Sequence, residues 1–257
     1  MGHTSGNCTM LRLGRSIPHW CQTVSEFSAM TLLILAFPAR GATIGFTNGS
    51  FETVGAGITS SFQLAAGNTT DLPGWTSAGS FLDCVVFPGS ASTDTCGNGA
   101  KLWPGPTTSP DGGNFYADDG DPSFATTLSQ TITNLVPNQP YTVSFWQAAA
   151  QFQFFTGATT ERWHVCLGSD NPCQDSPIMN NANHGFVNWS LQSLTFTPMA
   201  STEVLSFFAV GMPSGLPPVV LLDGVSITAA PEPGTCVLLG VTLLSIGIAR
   251  MRRKKRA

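Results

Sequence analysis

Four cysteines, Cys84, Cys96, Cys166 and Cys173, fall in the middle of this 257-residue chain, and their spacing offers two chemistries. They can pair as disulfides or bind zinc as thiolates. No pair has Cys-x-x-Cys spacing and no histidine is expected to complete a ligand set, which disfavours zinc. Two disulfides in an oxidising compartment are the better reading. Nearness in sequence selects Cys84 with Cys96 and Cys166 with Cys173. A second set is acidic: Asp118-Asp119-Gly120-Asp121 packs three carboxylates into four residues. That density suits calcium, but the full EF-hand spacing and its terminal Glu are missing, so a solvated turn is expected instead. A third set is aromatic: Trp75, Trp103, Trp146 and Trp163, with the run Gln151-Phe152-Gln153-Phe154-Phe155. Sugar binding needs an aromatic platform against the apolar face of a pyranose, with polar groups beside it. The Gln/Phe run follows a strand, where exposed aromatics mark a binding edge. Trp103, Phe152, Phe154 and Phe155 are therefore the candidate ligand contacts.

Catalytic signatures are missing. There is no Gly-x-Ser-x-Gly, no His-Glu-x-x-His and no phosphate loop, and only His164 and His184 lie in the central part. A non-enzymatic role is expected, although paired carboxylates acting on a glycoside stay open as a rival.

The elements that must position these groups read as strands. Tyr141, Val143 and Phe145 alternate with Thr142 and Ser144, as a half-buried strand requires, and 134–140 before them is turn chemistry. Further strands are expected at 80–87, 125–132, 162–167, Val187–Phe196, 203–210 and 219–228. No window carries a helical stripe. Short strands separated by Gly, Pro, Asn and Asp turns predict an all-β sandwich or barrel. The segment 104–113 reads as a mobile loop. Asp223 falls in phase with Val219, Leu221, Val225 and Ile227, which predicts a buried carboxylate needing a partner.

Both ends read as targeting segments. Arg12 and Arg15 precede an apolar stretch at 27–37, and Ala39-Arg40-Gly41 offers small residues for a signal peptidase, with cleavage after Gly41 or Ala42. The long stretch before it leaves Met10 as an alternative start. At the other end, Pro231-Glu232-Pro233 is followed by the apolar run 236–249 and then by Arg250, Arg252, Arg253, Lys254, Lys255 and Arg256. A basic cluster cannot cross a bilayer and favours the cytoplasmic side. The apolar run is short for a full span. Between the two signals, 43–230 keeps two of the eleven Lys and Arg but thirteen of the fifteen Asp and Glu, a net charge of −11. So acidic a domain lacks the cations to neutralise phosphates, and no nucleic-acid partner is expected.

The order tripeptide, apolar run, basic stop resembles the PEP-CTERM sorting signal of exported bacterial proteins, which a membrane-embedded exosortase recognises and cuts. A plain single-span anchor is the alternative. The resemblance implies an exosortase-type processing enzyme as partner, a transient inner-membrane intermediate, and delivery to the cell surface or extracellular matrix.

A second resemblance covers nearly all of 43–230. Asn48-Gly49-Ser50-Phe51-Glu52, Leu72-Pro73-Gly74-Trp75, Leu128-Ser129-Gln130-Thr131-Ile132, the strand Tyr141-Thr142-Val143-Ser144-Phe145-Trp146, Trp189 and the closing Leu222-Asp223-Gly224-Val225-Ser226 follow one order. They look like the galactose-binding-like jelly roll of carbohydrate-binding modules and choice-of-anchor domains. The likeness implies a core containing Trp75, Trp146 and Trp189. It also implies a structural Ca2+ held by Glu52 and Asp223, where first and last strands meet. A hydrogen-bonded Asp in a turn before Gly224 is the alternative. The resulting expectation is a secreted jelly-roll β-sandwich that binds exopolysaccharide, with a structural surface protein lacking a sugar ligand, or a glycoside-acting enzyme, as rivals.

Overall fold

The computed structural model describes residues 43–79, 82–169 and 172–230, with five positions of a C-terminal helical segment, Gly240, Val241, Leu243, Ser245 and Ile246. The expected leader and signal peptide, the Pro231-Glu232-Pro233 tripeptide and the basic tail lie outside the described residues. Among the described residues no helix is long and apolar enough to cross a membrane.

Twelve strands are described: β1 Phe62–Gln63, β2 Thr76–Ser77, β3 Cys84–Val86, β4 Phe115–Asp119, β5 Thr127–Ile132, β6 Tyr141–Gln151, β7 Thr159–Leu167, β8 Gln174–Asp175, β9 Met179–Asn181, β10 Val187–Phe196, β11 Glu203–Met212 and β12 Pro218–Ala229. They form two antiparallel sheets, one in the order β1-β3-β4-β12-β6-β10 and the other β2-β5-β11-β7-β8, with β9 also on β7. From β4 to β7, and again from β10 to β12, each connection carries the chain from one sheet to the other. That alternation is what a jelly roll requires.

Period-2 alternation decides which side chains fill the sandwich. Tyr141, Val143 and Phe145 of β6 and Val220 and Leu222 of β12 meet Leu128 of β5, Trp163 and Val165 of β7 and Phe207 of β11 in one core. Rings interlock in this core: Phe145 meets Phe207 across the gap at 5.2 Å, and Trp163 meets Phe207 within the second sheet at 5.9 Å, both edge to face. Trp163 is fully buried and donates its indole N–H to the Leu221 carbonyl at 3.1 Å.

A second, smaller core lies on the outer face of the first sheet. Phe115, Ala117, Ala148, Ala150, Val219 and Leu221 point outward there and are roofed by the segment after β3, through Ala91, Cys96 and Leu102. The Cys84–Cys96 disulfide, with Cα atoms 5.1 Å apart, pins that roof to β3. A second disulfide joins Cys166 at the end of β7 to Cys173. Both pairings are those expected from nearness in sequence.

Two expectations about the chain path need correction. The segment 104–113 is irregular but anchored, not loose. Thr107 accepts from Gly89 N–H at 2.8 Å, and Ser109 is buried. The Asp118-Asp119-Gly120-Asp121 run is not a solvated turn: Asp118 and Asp119 close β4, a strand paired on both sides, and all three acids are buried. The acids escaped notice as strand residues because Phe-Tyr-Ala-Asp-Asp shows no polar alternation, being covered on both faces.

Candidate functional site

Where β6 runs out, the chain makes a tight turn that collects the predicted aromatics on one edge. Phe152 extends the pairing by an isolated bridge to Leu102, and Trp103 N–H bonds the Gln151 carbonyl at 2.8 Å. Gln153 N–H then bonds the Lys101 carbonyl at 2.7 Å. The next residue, Phe154, turns left-handed at φ 77° and leaves its ring 90% exposed. A bulky residue in that region costs on the order of 1–3 kcal/mol. Burying nothing in return, it is a feature that folding alone does not explain.

Phe155 beside it is also exposed, and its carbonyl accepts the Trp103 indole N–H at 3.2 Å. Trp103 is half-buried and stacks on His184, ring centroids 4.2 Å apart at 28°. Trp103, Phe154 and Phe155 are thus brought together. Phe152 is more buried than its neighbours, 4% exposed and part of the second core, because the bridge to Leu102 turns it inward.

Phe152, Phe154 and Phe155 border an open pocket of about 280 Å³. Phe152, Phe154, Phe155, Phe124, Leu82 and Pro217 make its walls, and Lys101, Gln153 and Asp119 are its polar groups. Asp119 was missed as a site residue in the sequence. It is fully buried, its Oδ1 accepts from Asp121 N–H at 2.8 Å, and its Oδ2 has no hydrogen-bond partner. Burial, with the Asp121 charge adding to it, pushes its carboxyl up to about 7, against the opposing Asp121 N–H bond. Asp121 is held separately, by the Ser214 hydroxyl and by Gly215 and Ser123 N–H, and among the described residues the three acids do not gather as a metal-ligand cluster.

Asp223 is fully buried, as its phase predicted, but on the outer face with Val219 and Leu221. A bulge between Asp223 and Ser226, with Gly224 at φ 56°, then returns Val225 and Ile227 to the inner core. Its Oδ2 accepts from the Ser109 hydroxyl and its Oδ1 is buried without a partner. Desolvation raises its carboxyl to about 8 in spite of bonds from Ser109 and Gly224 N–H, and the charges of Asp111 and Glu52 push the same way. Glu52 accepts from Asn114 N–H at 2.7 Å, and Val225 N–H bonds the Gly49 carbonyl at 2.9 Å, tying the first turn to β12. Glu52 and Asp223 therefore share one neighbourhood. An oxygen-only set with one orphaned carboxylate atom fits a hard cation such as calcium.

One metal-like cluster that the sequence did not suggest is present: His164, Cys166 and Cys173 have ligand atoms within 4.8 Å of one another. The two sulfurs are joined in a disulfide and offer no thiolate. His164 instead faces Asp175, which also pairs with Arg162 at 3.0 Å.

The remaining tryptophans divide. Trp75 is buried and bonds the Asn48 carbonyl at 2.8 Å, as expected of a core residue. Trp146 and Trp189 are only half-buried on the outer face of the first sheet, because the alternation that buries Phe145 turns Trp146 outward. Trp189 meets Phe115 edge to face at 5.6 Å and donates to the Thr108 carbonyl.

No family model matches this sequence, and no curated protein matches it. Among solved structures, TmCBM61 in complex with beta-1,4-galactotriose is similar at 15% identity and a TM-score of 0.41, over 72% of this chain and 97% of its own. A CBM4 structure is similar at 16% identity and a TM-score of 0.34, over 72% and 99%. The CBM22-1 xylan-binding domain of Xyn10C from Paenibacillus barcinonensis gives 14% identity and 0.34, over 70% and 99%. Likeness at these scores decides neither the fold nor the ligand of this chain, both of which rest on its own geometry.

Proposed function

We propose that this protein is an exported, non-catalytic carbohydrate-binding module that holds exopolysaccharide at the cell surface or in the extracellular matrix. The observation that carries the reading is Phe154, a 90% exposed ring held at positive φ beside Phe155 and Trp103. Exposed aromatics on a rigid strand end supply a flat apolar surface for a pyranose at little cost in side-chain entropy. Lys101 and Gln153 stand beside it as polar partners for hydroxyls. Two disulfides suit a protein that works outside the cytoplasm.

Calcium, in this reading, is structural. Glu52 and Asp223 would hold it, with Asp111 and Ser109 beside them, and its charge would stabilise the buried Asp223 carboxylate. The tail 231–257 would be cut by an exosortase-type enzyme after a transient stay in the inner membrane. A glycan array probed with the full chain, in calcium and in chelator, tests the reading. Binding to a polysaccharide supports it, turnover of a glycoside would favour an enzyme, and silence a purely structural surface protein.

A further inference from the structure

The pocket beside Phe154 is oddly built for a bare sugar. A pyranose carries hydroxyls around its rim, and each one placed against carbon loses water without replacement. Here the walls facing inward are carbon: Leu82, Phe124, Phe152, Phe155 and Pro217. An acyl ester has the opposite demand. Its methyl or alkyl end is apolar and its carbonyl oxygen only accepts, so it needs carbon walls and a hydrogen-bond donor.

Two of the pocket's three polar groups, Lys101 and Asp119, can donate to such a carbonyl, while the Gln153 amide is already engaged by the Leu102 carbonyl. Lys101 is an ammonium with donors alone. Asp119, in the pocket lining, has Oδ1 engaged by Asp121 N–H and Oδ2 buried without a partner. A carboxyl of this kind keeps its proton toward neutral pH and can offer it to a carbonyl. The charged groups around it are Asp121 on the following turn, Lys101 in the same lining, and Asp118, the preceding residue of β4, which couples to it by charge from the other face of the strand. A volume of about 280 Å³ lies just under the usual ligand-cavity range, which suits one substituted ring more than a run of chain.

We propose that this pocket selects a sugar residue bearing an O-acyl ester, an O-acetyl group in the simplest case, with Asp119 as the specificity-determining donor to the ester carbonyl; this rests on the carbohydrate-binding reading above. No bond is made or broken. The acyl chain fills the carbon-walled space while the ring lies on Phe154.

The test uses the full chain, purified in mild detergent, against a panel of O-acetylated polysaccharides, each paired with its own alkali-deacetylated form. The expected result is at least one pair in which the acetylated member binds tenfold or more tightly. That preference is lost in Asp119→Ala and kept in Asp119→Asn, whose amide still donates. In the wild type it falls as pH rises from 6 to 9, and in Asp119→Asn it does not. Melting curves check that both variants fold. Equal or tighter binding of the deacetylated members overturns this inference and leaves carbohydrate binding standing. Binding to neither member of any pair overturns both.

Discussion

Asp223→Asn isolates the cost of a buried carboxyl. In the native state that carboxyl is raised from 3.8 to about 8, chiefly by desolvation. Between those values the folded protein holds a proton that the unfolded chain has released. Its contribution is therefore fully present below pH 4 and is lost as pH rises through about 8. One pKa unit corresponds to about 1.4 kcal/mol, so the whole span removes roughly 5–6 kcal/mol, a large part of an ordinary domain's stability. Asn is uncharged at every pH and removes that titration. Glu161, raised to about 8 by burial, and Asp119 titrate in both proteins and cancel in the difference. Urea unfolding followed by tryptophan fluorescence at pH 5, 6, 7 and 8, in chelator, gives the comparison. Stability of the wild type relative to Asp223→Asn should fall by about 1.4 kcal/mol per pH unit from pH 5 to 7. Saturating calcium should flatten the wild-type curve, by holding the carboxylate ionised, and leave the variant unmoved. Parallel curves for the two proteins in chelator would refute the assignment of a buried, protonated Asp223.

Gly113 adopts φ 66°, and a Cβ there would lie 1.8 Å from the Glu52 carboxylate, so Gly113→Ala should displace Glu52 and abolish any rise in melting temperature on calcium addition. Replacing Cys84 and Cys96 by Ser opens a loop of 12 residues and should cost roughly 2–3 kcal/mol in the same urea assay, because the unfolded chain regains its freedom. Changing Pro231, Glu232 and Pro233 together to Ala should leave an uncleaved form in the inner membrane, read by mass spectrometry of the C-terminus. An identical mature end in variant and wild type would remove the sorting reading.

Strands exposed on one face were legible in the sequence, since their alternation survives: β10 is found at the expected Val187–Phe196. β4 was not, because cover on both faces erases the pattern and its acids imitate a turn. The phase of Asp223 was read correctly up to the bulge, which no local residue apart from Gly224 announces. The aromatic edge was visible as a run of rings past a strand end. Phe152 lines the pocket from a buried position that the sequence did not show, because one bridge to Leu102, fifty residues away, decides its direction. Asp119 as a pocket residue had no local signal at all, since the Leu82, Lys101 and Phe152 that line the pocket with it come from three separate segments.

Whether the Phe154 edge binds carbohydrate is decided by one equilibrium measurement: affinity of the full chain and of Phe154→Ala for a polysaccharide that the array identifies. Phe154 is 90% exposed, so its removal should leave stability within about 0.5 kcal/mol. Binding by the wild type is expected, with at least a tenfold loss in Phe154→Ala and an unchanged melting curve. Equal affinity in the two proteins, or no carbohydrate bound by either, would contradict carbohydrate binding at this edge.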